Sequence, residues 1–400
     1  MLRAFSLQNF HSFRDQQRIS LELSPRRRAD DDCLSCASPQ GKRLSKALCL
    51  IGPNASGKTN LINALVFVTW FVKYSFAELP PDGLIPLMPH FSAQDEPSEF
   101  ELEFEMDERE WFYRLRASEE RVFYEALFTR DTRESKKRSI VFERTWDPAK
   151  RAYSVKQQKF GMLPGEAAKV RQNASLISTG AQYGVDLALR LASIETPSNV
   201  DNFGHCNMSV EQILRASEFY MRNTEMRDKM VHYLNRWDLG LHDVVFEEIP
   251  LLEKGETVKK YIPHGVHRGG DEAQHRLMFM YESNGTQALF FLLSKILRVL
   301  RYGGLALIDE LELSLHPHML EPILDLFFLP EENPKNAQII FTCHSVDVLS
   351  FLHKPQIVLV EKDDRGESEA WRLDSVTGVR SDDNLAAKYL AGAYGAVPRL

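Results

Sequence analysis

The sequence predicts an α/β fold in which a mixed sheet is interrupted by a long insertion. Three observations carry this expectation: a glycine-rich loop between an apolar strand and a helix at residue 52, a second apolar strand that ends in paired carboxylates at residue 309, and between them a block whose periodicity changes from two-residue to helical. One β-α-β crossover does not span that separation, so the intervening chain must leave the sheet and return to it.

In chain order, the opening MLRAFSLQNF lacks the basic stretch, apolar core and small-residue cleavage site of a secretory leader, which points to a cytoplasmic protein. KALCLI reads as a buried strand. The loop after it, Gly52, Pro53, Asn54, Ala55, Ser56, Gly57, Lys58, Thr59 and Asn60, matches GxxxxGK[ST]. In that pattern glycines let backbone N–H groups turn onto phosphates, Lys58 reaches the β and γ oxygens, and Thr59 places its hydroxyl on Mg²⁺. The apolar, helix-length TNLINALVFVTWFVKYSF then sets the loop at a helix N-terminus, where anions are favoured. The most apolar runs fall short of the ~20 residues that cross a bilayer, and no membrane association is expected.

Alternating residues in EPSEFELEFEMDEREWFYRLRASEERVFYEALFTR and RSIVFERTW predict an antiparallel β-lobe, which completes an N-terminal part over 1–160. Helical periodicity in VDLALRLASI and SVEQILRASEFYMRNTEMRDKMVHYLNRW, with the breaker ETPSNVDNFG between them, predicts an inserted helical arm over 161–243. The C-terminal part, 244–400, begins with strand-like DVVFEEI, VKKYI and RLMFMYE. It continues with a helix capped at Ser283 or Asn284 and closed by Gly303 and Gly304.

Leu305 to Ile308 then deliver Asp309 and Glu310 to a strand end, the former suited to Mg²⁺ and the latter to acting as a general base. AQIIFTCHS ends a further strand in His344, an imidazole placed to sense a γ-phosphate. Lys58, Glu310 and His344 are therefore the catalytic candidates, Thr59 and Asp309 the metal ligands, and ATP with Mg²⁺ the expected substrate and cofactor.

The net charge of −7 gives no basic footprint, so nucleic acid binding is possible but not indicated. Five cysteines, with one CxxC at Cys33 and Cys36, do not make a disulfide framework or a complete zinc site. PRRRADDD reads as a solvated hairpin tip, and His264, His267 and His275 as a polar, glycine-rich loop. Phe10 and Arg14 are candidates either for nucleotide contact or for a simple strand-end role.

The order of these motifs resembles an ABC-type ATPase head: the loop at Gly52, a signature-like turn at Ser283 and Gly285, the carboxylates Asp309 and Glu310, a D-loop-like SLHP at 314–317, and a switch histidine at His344. Asn284 departs from the double-glycine form of the signature, and no glutamine is assigned to a Q-loop. More narrowly, LQNFHSFRD, GPNASGKTNLINAL, ESNGTQALF, LIDELELSLHP, FTCHS, VLVEKD and YLAGAYGAVPRL resemble stand-alone defence ATPases of the AbiLi/RloA kind, related to OLD, RecF and SMC-like heads.

That resemblance implies two heads facing each other, with Ser283 and Gly285 of one completing the γ-phosphate shell of the other. The assembly would be a homodimer or a higher even-numbered oligomer. It also implies a regulatory ATPase of an anti-phage, abortive-infection system acting with a separately encoded effector, an RloB-like nuclease. The alternative is a RecF- or SMC-like DNA-maintenance ATPase, although no long heptad arm is present. A GTPase is disfavoured, because EKDD at Glu361 is only a weak match to a guanine-reading motif.

Overall fold

The structure is a computed structural model that describes residues 1–24, 35–37, 41–131, 137–202, 204–206, 209–237, 240–253, 256–269, 273–380 and 382–398. Cys33 and the PRRRADDD stretch lie outside the described residues.

Strands β1 (Leu2–Gln8) and β2 (Gln17–Ser20) form an antiparallel hairpin, followed by the short pair β3 (Ser35–Ala37) and β4 (Arg43–Ser45). The apolar run 47–51 becomes β5 (Ala47–Ile51), buried at every position, and α1 (Lys58–Glu78) starts within the glycine-rich loop. The alternating segment folds as a meander of β6 (Ser98–Met106), β7 (Arg109–Ala117), β8 (Val122–Arg130), β9 (Ser139–Asp147) and β10 (Ala152–Gln157). Because β1 pairs antiparallel with β6, the meander and the N-terminal hairpin merge into one seven-stranded sheet, β10-β9-β8-β7-β6-β1-β2.

The inserted helices are α2 (Pro164–Ala167), α3 (Leu176–Gln182), α4 (Asp186–Ala192), α5 (Val210–Arg222) and α6 (Thr224–Arg236), with the short pair β11 (Val200–Asp201) and β12 (Gly204–His205) between α4 and α5. Asn223 leaves helical geometry and separates α5 from α6. Strands β13 (Asp243–Glu253), β14 (Glu256–Arg268) and β15 (Gln274–Met278) follow as a three-stranded antiparallel sheet. His264, His267 and His275 therefore lie in strands, which corrects the expectation of a loop. Gly265 is a close approach, not a turn: a Cβ there would stand 2.1 Å from Glu282 Oε1. That carboxylate holds His267 Nε2 at 2.8 Å.

Helix α7 (Asn284–Tyr302) leads into β16 (Leu305–Ile308), α8 (Leu320–Phe328), β17 (Gln338–Thr342), β18 (Ile357–Lys362), β19 (Ser368–Arg372) and α9 (Leu385–Leu390). The central sheet has the order β16-β17-β5-β18-β19, parallel throughout except for β19, and is thus mixed. Its side chains alternate between two cores, as the pleat demands. Ala47, Cys49, Ile51, Ile308 and Phe341 meet α6, α7 and α8, whereas Leu48, Leu50, Leu307 and Ile340 meet α1.

Helix α1 is long and apolar enough by composition to cross a membrane. Here it lies between the two sheets, with Phe67 packed 5.2 Å from Phe100 of β6 and Leu61, Ile62 and Phe71 fully buried. A helix covered on both sides needs no polar face, which explains its composition. The sheets are also tied by Gln338, whose buried amide donates to Leu2 O at 3.0 Å and Ser45 O at 2.9 Å and accepts from Leu2 N at 2.6 Å.

Candidate nucleotide-binding site

The carboxyl ends of β5, β16 and β17 meet at one edge of the central sheet, with β17 between the other two. That order brings together Gly52, Asp309 and the turn leading to His344, despite their distance in sequence.

Gly52 is dictated by packing, because a Cβ would fall 2.0 Å from the carbonyl of Val360 on β18. Gly57 sits at φ 108, and a Cβ there would meet Ser368 Oγ at 2.6 Å and Ser12 Oγ at 2.8 Å. With Ala55 also at φ 61, the loop bends its backbone into left-handed turns that can present N–H groups to an anion. Asn54 and Ala55 are exposed, and Pro53 is half-buried. Ser56 Oγ is buried without a hydrogen-bond partner among the described residues. Ser12 and Ser368, neither of which stood out in the sequence, support the loop from beneath: Ser368 Oγ donates to Ser56 O at 2.7 Å, and Asn60 Nδ2 donates to Ser12 Oγ at 2.8 Å.

Lys58 is buried and donates to the carbonyls of Gly52 and Pro53, each at 2.9 Å. Burial lowers its pKa from the ordinary value, while the charges of Asp309, Glu312 and Glu310 oppose that shift. Thr59 Oγ1 donates to both carboxylate oxygens of Asp309 at 3.1 Å, and Thr342 Oγ1 donates to Oδ1 at 2.7 Å. A hydroxyl and a carboxylate at this spacing are hard oxygen donors suited to Mg²⁺. Together with the glycine cradle and the orphaned Ser56 hydroxyl, they fit a triphosphate with its metal.

Glu310 has φ 51, in the left-handed region that a β-carbon disfavours. The strain is held by Glu310 N donating to Thr342 Oγ1 at 2.7 Å and Leu311 N to Thr342 O at 3.1 Å. Strain of this kind, stabilised by its surroundings, clusters at functional sites. His344 Nε2 lies 3.6 Å from Glu310 Oε1, with both side chains more than a third exposed. The backbone N–H of His344 donates to Glu312 Oε1. Glu312 is a site residue hidden in the DELEL run, where its spacing reads as one more solvent-facing acid.

Asn199 is a further residue the sequence does not single out. Its Oδ1 accepts from Asp309 N and its Nδ2 donates to Asp309 O, both at 2.8 Å. It arrives on a strap, 194–199, that runs beside β16: Leu305 N donates to Glu195 O at 2.9 Å and Leu307 N to Pro197 O at 3.0 Å. Gly304, at φ 125, permits this approach, since a Cβ would fall 2.1 Å from Glu195 O. In the sequence these residues read only as a breaker.

Ser283 caps α7, accepting from Thr286 N at 3.1 Å, and Gly285 faces the carbonyl of Ser314, which a Cβ would reach at 3.0 Å. Among the described residues no hydrogen bond joins Ser283 or Gly285 to the loop 52–60. Phe10 is buried in the core against Phe67 and Phe100, whereas Arg14 is exposed and lies 3.8 Å from Glu367. Glu361 accepts from Ala396 N at 3.0 Å, a structural contact. Among the described residues, Cys36, Cys49, Cys206 and Cys343 are free thiols and no cluster of metal-ligating side chains is found.

Loop, strand order and carboxylates are those of a P-loop domain. The family described as "AAA domain, putative AbiEii toxin, Type IV TA system" matches residues 48–350, and the chain belongs to it.

Among solved structures, the chain is similar to an SMC head bound to the C-winged helix domain of ScpA, at 15% identity and TM-score 0.48 over 94% of this chain and 99% of that one. It is similar to an SMC head domain from Thermotoga maritima at 14% identity and TM-score 0.41, over 93% and 98%. A third is a Pyrococcus furiosus SMC head with an extended coiled coil, bound to the C-terminal domain of ScpA, at 14% identity and TM-score 0.44 over 98% and 99%. No curated protein matches the sequence.

Proposed function

We propose that this chain binds and hydrolyses ATP as an ABC-type dimerisation switch and serves as the regulatory ATPase of an anti-phage, abortive-infection system whose effector is a separate protein. The observation that carries the reading is the convergence of Lys58, Thr59, Asp309, Glu310 and His344, drawn from three adjacent strand ends, on one sheet edge. The family description, which names an AbiEii toxin, supports the defence setting.

In this reading, Lys58 and the N–H groups of the loop bind the phosphates, and Thr59 with Asp309 would hold Mg²⁺, which supplies charge neutralisation when bound. Glu310 takes the proton of the attacking water, and His344 orients Glu310 and follows the γ-phosphate. Among the described residues Ser283 and Gly285 make no hydrogen bond to their own loop, and in this reading they serve the loop of a second copy. ATP then acts as a bridge between protomers, and its hydrolysis opens the interface.

The test is Glu310→Gln. It keeps MgATP binding, loses turnover by about 10²-fold or more, as removal of a general base does, and accumulates an ATP-dependent dimer in light scattering. Lys58→Ala weakens nucleotide binding in the same titration. Equal turnover by wild type and Glu310→Gln refutes the assignment. Hydrolysis stimulated by duplex DNA with steep salt dependence supports the maintenance reading instead.

A further inference from the structure

A cavity of about 650 Å³ lies between the two sheets beside α1, next to the start of β16 and away from the glycine-rich loop. Leu65 and Val72 of α1, Leu102 and Phe104 of β6, and Leu191 of α4 give it mostly apolar walls. Native interiors hold few voids larger than a water molecule, and small-molecule sites occupy about 300–1,000 Å³. A space of this size at the junction of two layers has the dimensions of a ligand site.

Lys73 of α1 brings a cation to these walls. Its Nζ donates to the Ile194 carbonyl and, at 2.8 Å, to Thr196 Oγ1. Burial lowers its pKa to about 8, so the ammonium is still largely charged at neutral pH. The acids lining the cavity are committed elsewhere: Asp107 to Arg190 at 2.8 Å, Glu195 to Arg298 at 2.7 Å and Glu105 to Arg3 at 3.7 Å. No carboxylate of the described residues lies within ion-pair distance of Lys73 Nζ, and the third donor of the ammonium has no partner among them. The nearest opposing charge, Glu195, is shared with Arg298, and a buried cation so weakly compensated complements an anion that carries its own apolar body.

We propose that this cavity is a binding site for an amphipathic monocarboxylate, whose apolar body fills the space between the sheets and whose carboxylate pairs with Lys73. The same ammonium holds one end of the strap 194–199 through Ile194 O and Thr196 Oγ1, so an anion that pairs with its third donor pulls on that end. The other end of that strap is Asn199, on the backbone of Asp309. Occupancy therefore biases the position of Asp309, and by linkage MgATP biases occupancy in return. This coupling rests on the reading of the Asp309 edge as the nucleotide site; occupancy of the cavity does not.

The experiment is calorimetric titration of the nucleotide-free chain with decanoate and with its uncharged counterpart decanol. Decanoate is expected to bind about tenfold or more tightly than decanol, the scale of one desolvated charge pair. Lys73→Met removes that preference, and Val72→Trp, which fills the cavity, weakens both ligands by about tenfold or more. Equal affinities for decanoate and decanol in the wild type overturn the proposal, as does no binding by the folded wild type or an unaltered preference in Lys73→Met. Should Lys73→Met not fold, the wild-type comparison and Val72→Trp decide alone. Saturating decanoate is expected to shift the Kd for MgATP by about threefold or more; an unchanged Kd overturns the coupling. Failure of MgATP to bind at all overturns the proposed function and leaves the decanoate result standing.

Discussion

Asn199→Ala removes a single amide that serves two backbone groups of Asp309. Asp309 N loses its acceptor and Asp309 O its donor, both at 2.8 Å and partly buried. A buried polar group left without a partner costs about 1–3 kcal/mol, so the pair amounts to about 2–4 kcal/mol once partial solvation is allowed for. At about 2–4 °C per kcal/mol for a large domain, the midpoint of thermal unfolding should fall by about 4–16 °C.

Function should suffer more than stability. Asp309 would still be held by Thr59 and Thr342, but with the strap detached its backbone can drift, and a misplacement of about 1 Å costs about 10²-fold in rate. The cradle residues make no contact through Asn199, so MgATP affinity should stay within about threefold while kcat falls by about 10²-fold. Asn199→Asp keeps an acceptor for Asp309 N but loses the donor to Asp309 O, and should fall between wild type and alanine. The assays are thermal unfolding, MgATP titration and steady-state turnover on the three proteins. A wild-type kcat together with an unchanged unfolding midpoint in Asn199→Ala refutes the argument.

Two glycine substitutions separate packing from phosphate binding. Gly52→Ala drives a Cβ to 2.0 Å from the Val360 carbonyl, an immovable strand backbone, and should cost more than about 4 kcal/mol, read as loss of the folded protein in circular dichroism. Gly57→Ala meets side-chain atoms only, Ser368 Oγ at 2.6 Å, Ser12 Oγ at 2.8 Å and Ser368 Cβ at 3.1 Å, and adds the strain of a β-carbon at φ 108, so it should destabilise less than Gly52→Ala, still fold, and lose nucleotide affinity. Arg144→Met removes a buried guanidinium that donates to the carbonyls of Ala174, Val170 and Arg171 and lies 3.8 Å from Glu125, itself fully buried. The loss should be about 3–5 kcal/mol in urea unfolding, with part of it recovered in the double variant Glu125→Gln/Arg144→Met, where no charge is left alone.

What the sequence discloses depends on whether a residue's role is set by its neighbours in the chain. Gly52 to Thr59 are legible because a phosphate loop accepts few residue types at each position, and Asp309 because an apolar strand leads straight into it. The meander is legible because alternation is local, yet its union with β1 is not, since six of the seven residues of that strand are buried and show no alternation. The histidines of β14 look like a loop because Gly265 and the glycines beyond Arg268 interrupt the pattern. The side chains of Glu282 and Leu241, both distant in sequence, explain why one of those glycines belongs in a strand.

Asn199 is the most instructive case. ETPSNVDNFG does break the helical pattern, and that reading is locally sound. Its consequence is nonlocal, because the broken segment lies along β16 and ends on Asp309. The long separation between the two halves of the site is therefore not inert. The insertion returns to the sheet edge before β16 is reached in sequence, so a displacement of α4 or of Lys73 acts on the strap first and on Asp309 through it. Asp309 is thus held by the insertion, through the Asn199 amide, as well as by its own strand.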